Sequence, residues 1–188
     1  MTKAEALKTY FGYDAFREGQ ERVVDTLLSG QDALAVMPTG AGKSVCYQIP
    51  ALLLPGITLV ISPLVSLMAD QVTALVQMGI PAAYLNSTLT YRQYLLALER
   101  ARAGRYKLIY VAPERLENEG FLDFVRHADI SLVAWTRPTA SPSGDRTFGR
   151  PICASPLLWI RCRIGRRWGP SPPPPRPMSA GTSAVCWS

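Results

Sequence analysis

Two rhythms alternate along the first 134 residues. Five short apolar runs, at 33–37, Ile57–Ile61, Ala82–Leu85, 107–111 and 130–134, have the length of buried strands, and Ile57–Ile61 is also rich in β-branched residues. Between them lie stretches with apolar positions three and four apart, the spacing of a helix face. The first, 15–28, carries Phe16, Val23, Val24, Leu27 and Leu28 and stops at Gly30. A second helix begins near Gly42, and Pro50, which has no N–H to donate, is expected to end or kink it. A third spans 64–78 and closes at Gly79. Thr90-Tyr91-Arg92-Gln93 reads as a capping box opening a fourth, which runs to about Arg102 with Gly104 as its stop. A fifth lies near 120–127. Strand and helix in strict alternation predict an α/β fold, a mostly parallel sheet with helices on both faces.

The pattern stops near Ala134. Residues 135–188 hold all four tryptophans and ten of the sixteen prolines, and no strand or helix period continues there. Such a segment is expected to be largely disordered, because it buries too little apolar surface to offset chain entropy. The division also changes the meaning of the charge. The chain nets +6, but residues 1–134 carry 12 Lys and Arg against 13 Asp and Glu, while 135–188 carry eight Arg, no Lys and one acid, Asp145. The basicity that would suggest nucleic acid therefore belongs to the tail and not to the folded part. Four scattered cysteines support neither a disulfide framework nor a zinc site. No apolar run approaches the roughly 20 residues of a membrane span. No signal core follows the N-terminus, so a cytoplasmic location is expected.

The chemistry concentrates between the first strand and the helix after it, in Met37-Pro38-Thr39-Gly40-Ala41-Gly42-Lys43-Ser44. Gly40 and Gly42 permit a backbone that a side chain would block. The loop N–H groups can then point inward at a helix N-terminus, which is a site for phosphate. Lys43 would reach the β- and γ-phosphates of ATP, and the Ser44 hydroxyl would ligate Mg²⁺. The strict phosphate-loop pattern has glycine where this chain has Met37, a departure in the motif that leaves the mechanism intact.

The run MPTGAGKSVCYQIPAL from Met37 resembles the first motif of RecQ-type DNA helicases. Phe11-Gly12-Tyr13 with Phe16-Arg17-Glu18-Gly19-Gln20 resembles the adenine-recognition motif of that family, which implies that Arg17 and Gln20 contact the base. Ser62-Pro63-Leu64-Val65-Ser66-Leu67-Met68 with Asp70-Gln71, then Leu85-Asn86-Ser87, then Tyr110-Val111-Ala112-Pro113-Glu114-Arg115-Leu116 resemble the motifs that follow. In the family these loops line the single-strand track, which makes Ser62, Ser66, Asn86, Ser87 and Arg115 candidate DNA contacts. Several of the same residues also suit caps and turns. The resemblance runs nearly continuously from residue 7 to 134 and implies a RecA-like P-loop domain. The activity it implies is ATP-dependent 3′–5′ unwinding of DNA in repair and recombination.

The family's next motif, Asp-Glu-Ala-His, should close the 130–134 strand and supply carboxylates for Mg²⁺ and the attacking water. Here the chain reads Trp135-Thr136-Arg137-Pro138. A one-base shift accounts for the change. Each hidden codon then takes its last two bases from the first two of a visible codon. On that rule WTRPTASPSGDRTFGRPICAS, from Trp135, permits VDEAHCVSQWGQDFRPSYLRI. GPSPPPPRP, from Gly169, likewise permits GAFTATATA, which resembles a further helicase motif. The expected organisation is a partial ATP-binding domain over 1–134 and an out-of-frame tail over 135–188. Without the carboxylates, and without the second motor domain that supplies an arginine finger in the family, little or no ATP hydrolysis and no unwinding are expected, alongside weak nucleotide binding. Two other classes fit less of the sequence. A small P-loop phosphotransferase would lack the Arg17/Gln20 and 62–68 motifs, and a non-catalytic DNA-binding fragment would act through the arginine tail alone.

Overall fold

The structure, a computed structural model, describes residues 1–38, 40–136, 157–162 and 183–186. In chain order its elements are α1 (Lys3–Phe11), α2 (Gln20–Leu28), β1 (Ala33–Val36), α3 (Lys43–Leu53), β2 (Ile57–Ile61), α4 (Val65–Gln77), β3 (Ala82–Leu85), α5 (Tyr91–Arg102), β4 (Leu108–Val111), α6 (Glu119–His127), β5 (Ile130–Thr136), β6 (Leu157–Cys162) and β7 (Ser183–Cys186), with a 3₁₀ turn at Pro113–Arg115. The strands form one sheet in the order β3-β4-β2-β5-β6-β1-β7. Strands β3, β4, β2 and β5 pair in parallel. Strand β6 lies antiparallel to both β5 and β1, so β1 runs with the parallel set, and so does β7 beside it. This is the α/β sheet the alternating pattern predicts.

Alternation along β4 shows how the sheet acquires a core on each face. Leu108 and Tyr110 point to one side and join Val23, Leu27, Tyr47, Met68, Val72 and Leu75 from α2, α3 and α4. Ile109 and Val111 point to the other and join Tyr94, Leu98, Phe121 and Phe124 from α5 and α6. Burial on both sides is why β2 reads as five consecutive buried positions instead of alternating. Helix α1 adds a second layer outside α2 and α3, with Ala6 and Leu7 against Val24, Val45 and Ile49. Caps fix the helix ends. Both halves of the Thr90/Gln93 box form on α5, and a second box, Thr2 with Glu5, starts α1.

Three details differ from the sequence pattern, each for a local reason. The 15–28 helix starts only at Gln20, because Gly19 takes a left-handed backbone with φ +73° and the chain turns there. Helix α3 continues through Pro50 to Leu53. Seven consecutive residues, Val45–Ala51, are buried, and their packing outweighs the one ladder hydrogen bond that proline removes. Beyond Ala134, where the pattern predicts no regular structure, β5 extends to Thr136 and ten further residues occupy the strand positions β6 and β7. The remaining residues of that segment lie outside the described ones. No helix among the described residues is long and apolar enough to cross a membrane.

The core on the α5/α6 side includes Phe121 and Phe124, two of the largest fully buried side chains. Phe124 is fully buried and packs edge-tilted on Phe121 with ring centroids 6.0 Å apart. Phe124→Ala is expected to lower unfolding free energy by about 3–5 kcal/mol, read as an earlier urea midpoint at unchanged slope.

Candidate functional site

In the parallel set every strand ends on the same edge of the sheet, so the loops after β1, β2, β3, β4 and β5 converge there. The loop after β1 is the phosphate loop. Gly40 and Gly42 both have positive φ, +82° and +76°, and Gly42 is also the residue from which α3 starts. Among the described residues nothing stands within 4 Å of where a Cβ on Gly40 would be, so this side of the loop is open to them. A Cβ on Gly42 would strike the Gln20 amide nitrogen. The cradle thus has one open side and one braced side, with the first turn of α3 adding N–H groups that no helix carbonyl can reach. Thr39 lies outside the described residues.

Three side chains hold the loop by its carbonyls. Arg17 donates from Nη1 to Gly40 O at 2.8 Å. Gln20 donates from Nε2 to Ala41 O at 3.0 Å and Gly42 O at 3.1 Å, and its Oε1 accepts from the Arg17 N–H at 2.9 Å. Lys43 donates from Nζ to Met37 O and Pro38 O, each at 3.2 Å. Partial burial pushes the Lys43 ammonium below its ordinary range. Met37 is buried and Pro38 exposed, so strand β1 is anchored up to the point where the loop leaves the sheet. Arg17 and Gln20, which the resemblance assigns to adenine, stand against the loop itself, with the Gln20 amide engaged at both ends.

Ser44 is half-buried in the first turn of α3, beside Tyr47 one turn on. Burial pushes the Tyr47 phenol up, and the Ser44 and Tyr110 hydroxyls hold it down. Cys46, on the core side of the same helix, has its thiol pushed up by burial to about 12. That makes it a packing residue and not a nucleophile.

The other candidates lie along the same edge, in two groups. Ser62 is buried at the end of β2; its N–H donates to Val111 O at 3.1 Å. Asn86 is buried at the end of β3, where its Oδ1 accepts from the N–H and hydroxyl of Thr88 at 3.1 and 2.7 Å. Arg115 joins the β3 and β4 loops by donating to Asn86 O at 3.2 and 2.8 Å, and its guanidinium lies 5.0 Å from the Tyr94 ring centroid. Ser66 and Ser87 are exposed. Arg115 and Asn86 are therefore brought together, whereas Ser66 and Ser87 stand apart on the surface. The side chain of Asn86 makes a turn, as its residue type allows. At the end of β5, Thr136 donates to Ile61 O at 3.2 Å, and no group of three or more His, Cys, Asp or Glu among the described residues could hold a metal ion.

Sequence reasoning passed over one polar set. Gln48 and Tyr110 are buried and hydrogen-bonded to each other in the layer between α3 and the sheet. The available signal was a Tyr-Gln pair inside an otherwise apolar helix and a tyrosine inside an apolar strand.

A strand, a loop with two left-handed glycines, and a helix entered through Lys-Ser at the carboxyl edge of a parallel sheet define a RecA-like P-loop nucleotide-binding domain. The chain belongs to the DEAD/DEAH box helicase family, whose model matches residues 17–133. Within that family its relatives are RecQ helicases. It is 48% identical over 134 residues to the ATP-dependent DNA helicase RecQ of Pasteurella multocida, covering 71% of this chain and 21% of that protein. It is 48% identical over 129 residues to the RecQ of Bacillus subtilis strain 168, covering 68% and 22%. The chain thus spans about a fifth of the length of these relatives. In fold it is similar to the crystal structure of a hypothetical ATP-dependent RNA helicase from Sulfolobus tokodaii, with TM-score 0.52 and 23% identity, covering 66% of this chain and 37% of that one.

The geometry of Gly42 makes a sharp prediction. Gly42→Ala both strains a left-handed backbone and drives a Cβ into the Gln20 amide. Nucleotide affinity should fall at least about tenfold, equivalent to about 1.4 kcal/mol, as read by titration with a fluorescent ATP analogue. Adding Gln20→Ala should not restore it, because the φ strain remains.

Proposed function

We propose that this chain is the ATP-gripping part of a RecQ-type 3′–5′ DNA helicase of repair and recombination, and that as it stands it binds MgATP without turning it over. The observation that carries the reading is the phosphate loop, with Gly40 open and Lys43 and Ser44 at the head of α3. Lys43 would leave the Met37 and Pro38 carbonyls for the β- and γ-phosphates, a stronger, charge-assisted pairing. Ser44 would supply one oxygen ligand to Mg²⁺, which when bound neutralises phosphate charge. Arg17 and Gln20 would meet adenine by exchanging their present loop contacts for the base edge, since an amide can both donate and accept there. Ser62, Ser66, Asn86, Ser87 and Arg115 would face single-stranded DNA along the same sheet edge. A cytoplasmic location suits these roles.

The absence of turnover follows from the end of β5, where Trp135-Thr136 stand at the strand's carboxyl edge and bring no carboxylate for Mg²⁺ or for the attacking water. We read residues 1–134 as the partial motor domain and 135–188 as out-of-frame translation after a one-base deletion near the Ala134 codon. Resequencing the locus tests this reading. A confirmed 188-codon frame with no helicase remnant in the adjoining frame overturns it.

Purified chain is expected to bind an ATP analogue only with Mg²⁺ present, and Lys43→Ala should weaken binding at least about tenfold. ATP turnover stimulated by single-stranded DNA would refute the proposal. A second reading rests on the eight arginines of 135–188, DNA binding through the tail alone. Such binding would survive Lys43→Ala and collapse steeply between low and physiological salt, whereas binding by the motor edge responds to nucleotide.

A further inference from the structure

Beneath the phosphate loop a line of polar side chains crosses the core. Gln48 on α3 donates from Nε2 to the Tyr110 hydroxyl on β4 at 3.2 Å and to Gln71 Oε1 on α4 at 3.1 Å. The Tyr110 and Tyr47 hydroxyls are 3.2 Å apart, and their rings meet edge to face at 69°. Tyr47 stands one helical turn from Ser44. Gln48, Tyr47 and Tyr110 are 4%, 2% and 2% exposed, so none of these groups is satisfied by bulk water. The set costs more to bury than the leucines and valines around it would, and any break strands a buried donor or acceptor.

What the line connects gives it a use. One end is the first turn of α3, where Ser44 and Lys43 head the phosphate loop. The other is the middle of α4, the helix that begins three residues after Ser62 and carries Ser66 in its first turn. The branch at Tyr110 lies on the strand that runs into Arg115. Apolar packing lets a helix slide at little cost, whereas a directional hydrogen-bond line ties the axial position of α3 to that of α4.

We propose that Gln48 and Tyr110 are positioning residues that transmit occupancy of the phosphate loop to helix α4 and so to the loop at Ser62–Ser66. This rests on the nucleotide-binding reading above. A nucleotide drawing on the first turn of α3 shifts Ser44 and Tyr47. Tyr110, bonded to both Tyr47 and Gln48, orients the Gln48 amide, and the Gln48–Gln71 contact passes the shift on to α4, which need not touch the ligand itself.

Hydrogen exchange on the full 188-residue chain, with and without Mg²⁺ and a non-hydrolysable ATP analogue, tests it. Nucleotide should slow exchange both in the phosphate loop and in the amides of Val65–Gln77, the latter by about threefold or more. In Tyr110→Phe and in Gln71→Met, loop protection should remain while the α4 response disappears. Gln71→Glu, which keeps an acceptor oxygen for Gln48, should retain it. Gln71 is only half-buried, so its variants keep the test usable even where Tyr110→Phe unfolds. An α4 response that survives the Gln71→Met change, or one missing from the unaltered chain while the loop is protected, overturns the relay alone. Absence of loop protection in the unaltered chain overturns the nucleotide-binding reading together with the relay.

Discussion

The phosphate loop depends on three side chains that hold five of its nearly successive carbonyls before any ligand arrives. Met37, Pro38, Gly40, Ala41 and Gly42 each have their carbonyl taken by Lys43, Arg17 or Gln20. Holding them fixes the loop's backbone beforehand, so that its glycines and N–H dipoles are already placed for an anion on the exchange proposed for Lys43, Arg17 and Gln20. Gln20 is central to this arrangement. It is buried, it holds two carbonyls with one nitrogen, and its oxygen holds the backbone of Arg17. The left-handed turn at Gly19 matters for the same reason, since it starts α2 at Gln20 and aims that side chain at Gly42.

Around that loop the parallel sheet does the rest of the positioning. Pairing β3, β4, β2 and β5 in one direction brings the ends at Leu85, Val111, Ile61 and Thr136 to a common edge without any loop having to be long. Local polar contacts then tie neighbouring loops: Ser62 N–H to Val111 O, Ala112 N–H to Leu85 O, Arg115 to Asn86 O and Thr136 to Ile61 O. The ends of β2, β3, β4 and β5 therefore form one connected surface, and a change at any of the four has a hydrogen-bonded route to the others.

Much of this was readable in the sequence because it depends on short-range rules. Ile57–Ile61, Ala82–Leu85 and the Thr90 box fall where period, glycine and capping chemistry place them. What escaped reading depends on contacts distant in sequence. The start of α2 is set by one backbone angle at Gly19. The passage of α3 through Pro50 is decided by burial from every side. The engagement of Arg17 and Gln20 with the loop joins residues 21 to 23 apart, a return of the chain that no local pattern encodes. The Gln48–Tyr110 pair is 62 residues apart, and each partner alone looks like an isolated polar residue in an apolar run.

Strand β6 shows why a fold can tolerate what a site cannot. It fills the position between β1 and β5 while running against both, and Leu158 and Ile160 are fully buried there. Their pairing partners are small or short, Ala35 with Thr136 for Leu158 and Ala33 with Ala134 for Ile160. Such a slot asks for backbone hydrogen bonds and large apolar groups at every second position. Period-2 alternation reads the same in either direction, so strand polarity is weakly specified by it. On the out-of-frame reading proposed for this segment, unrelated codons can still meet that demand. For the proposed function the strand end after Ala134 would need something no apolar pattern supplies, carboxylate oxygens at fixed points beside a phosphate. On that reading a shifted frame can preserve a sheet position by chance, whereas Trp135-Thr136 bring no carboxylate to the strand end where the family's motif would place one.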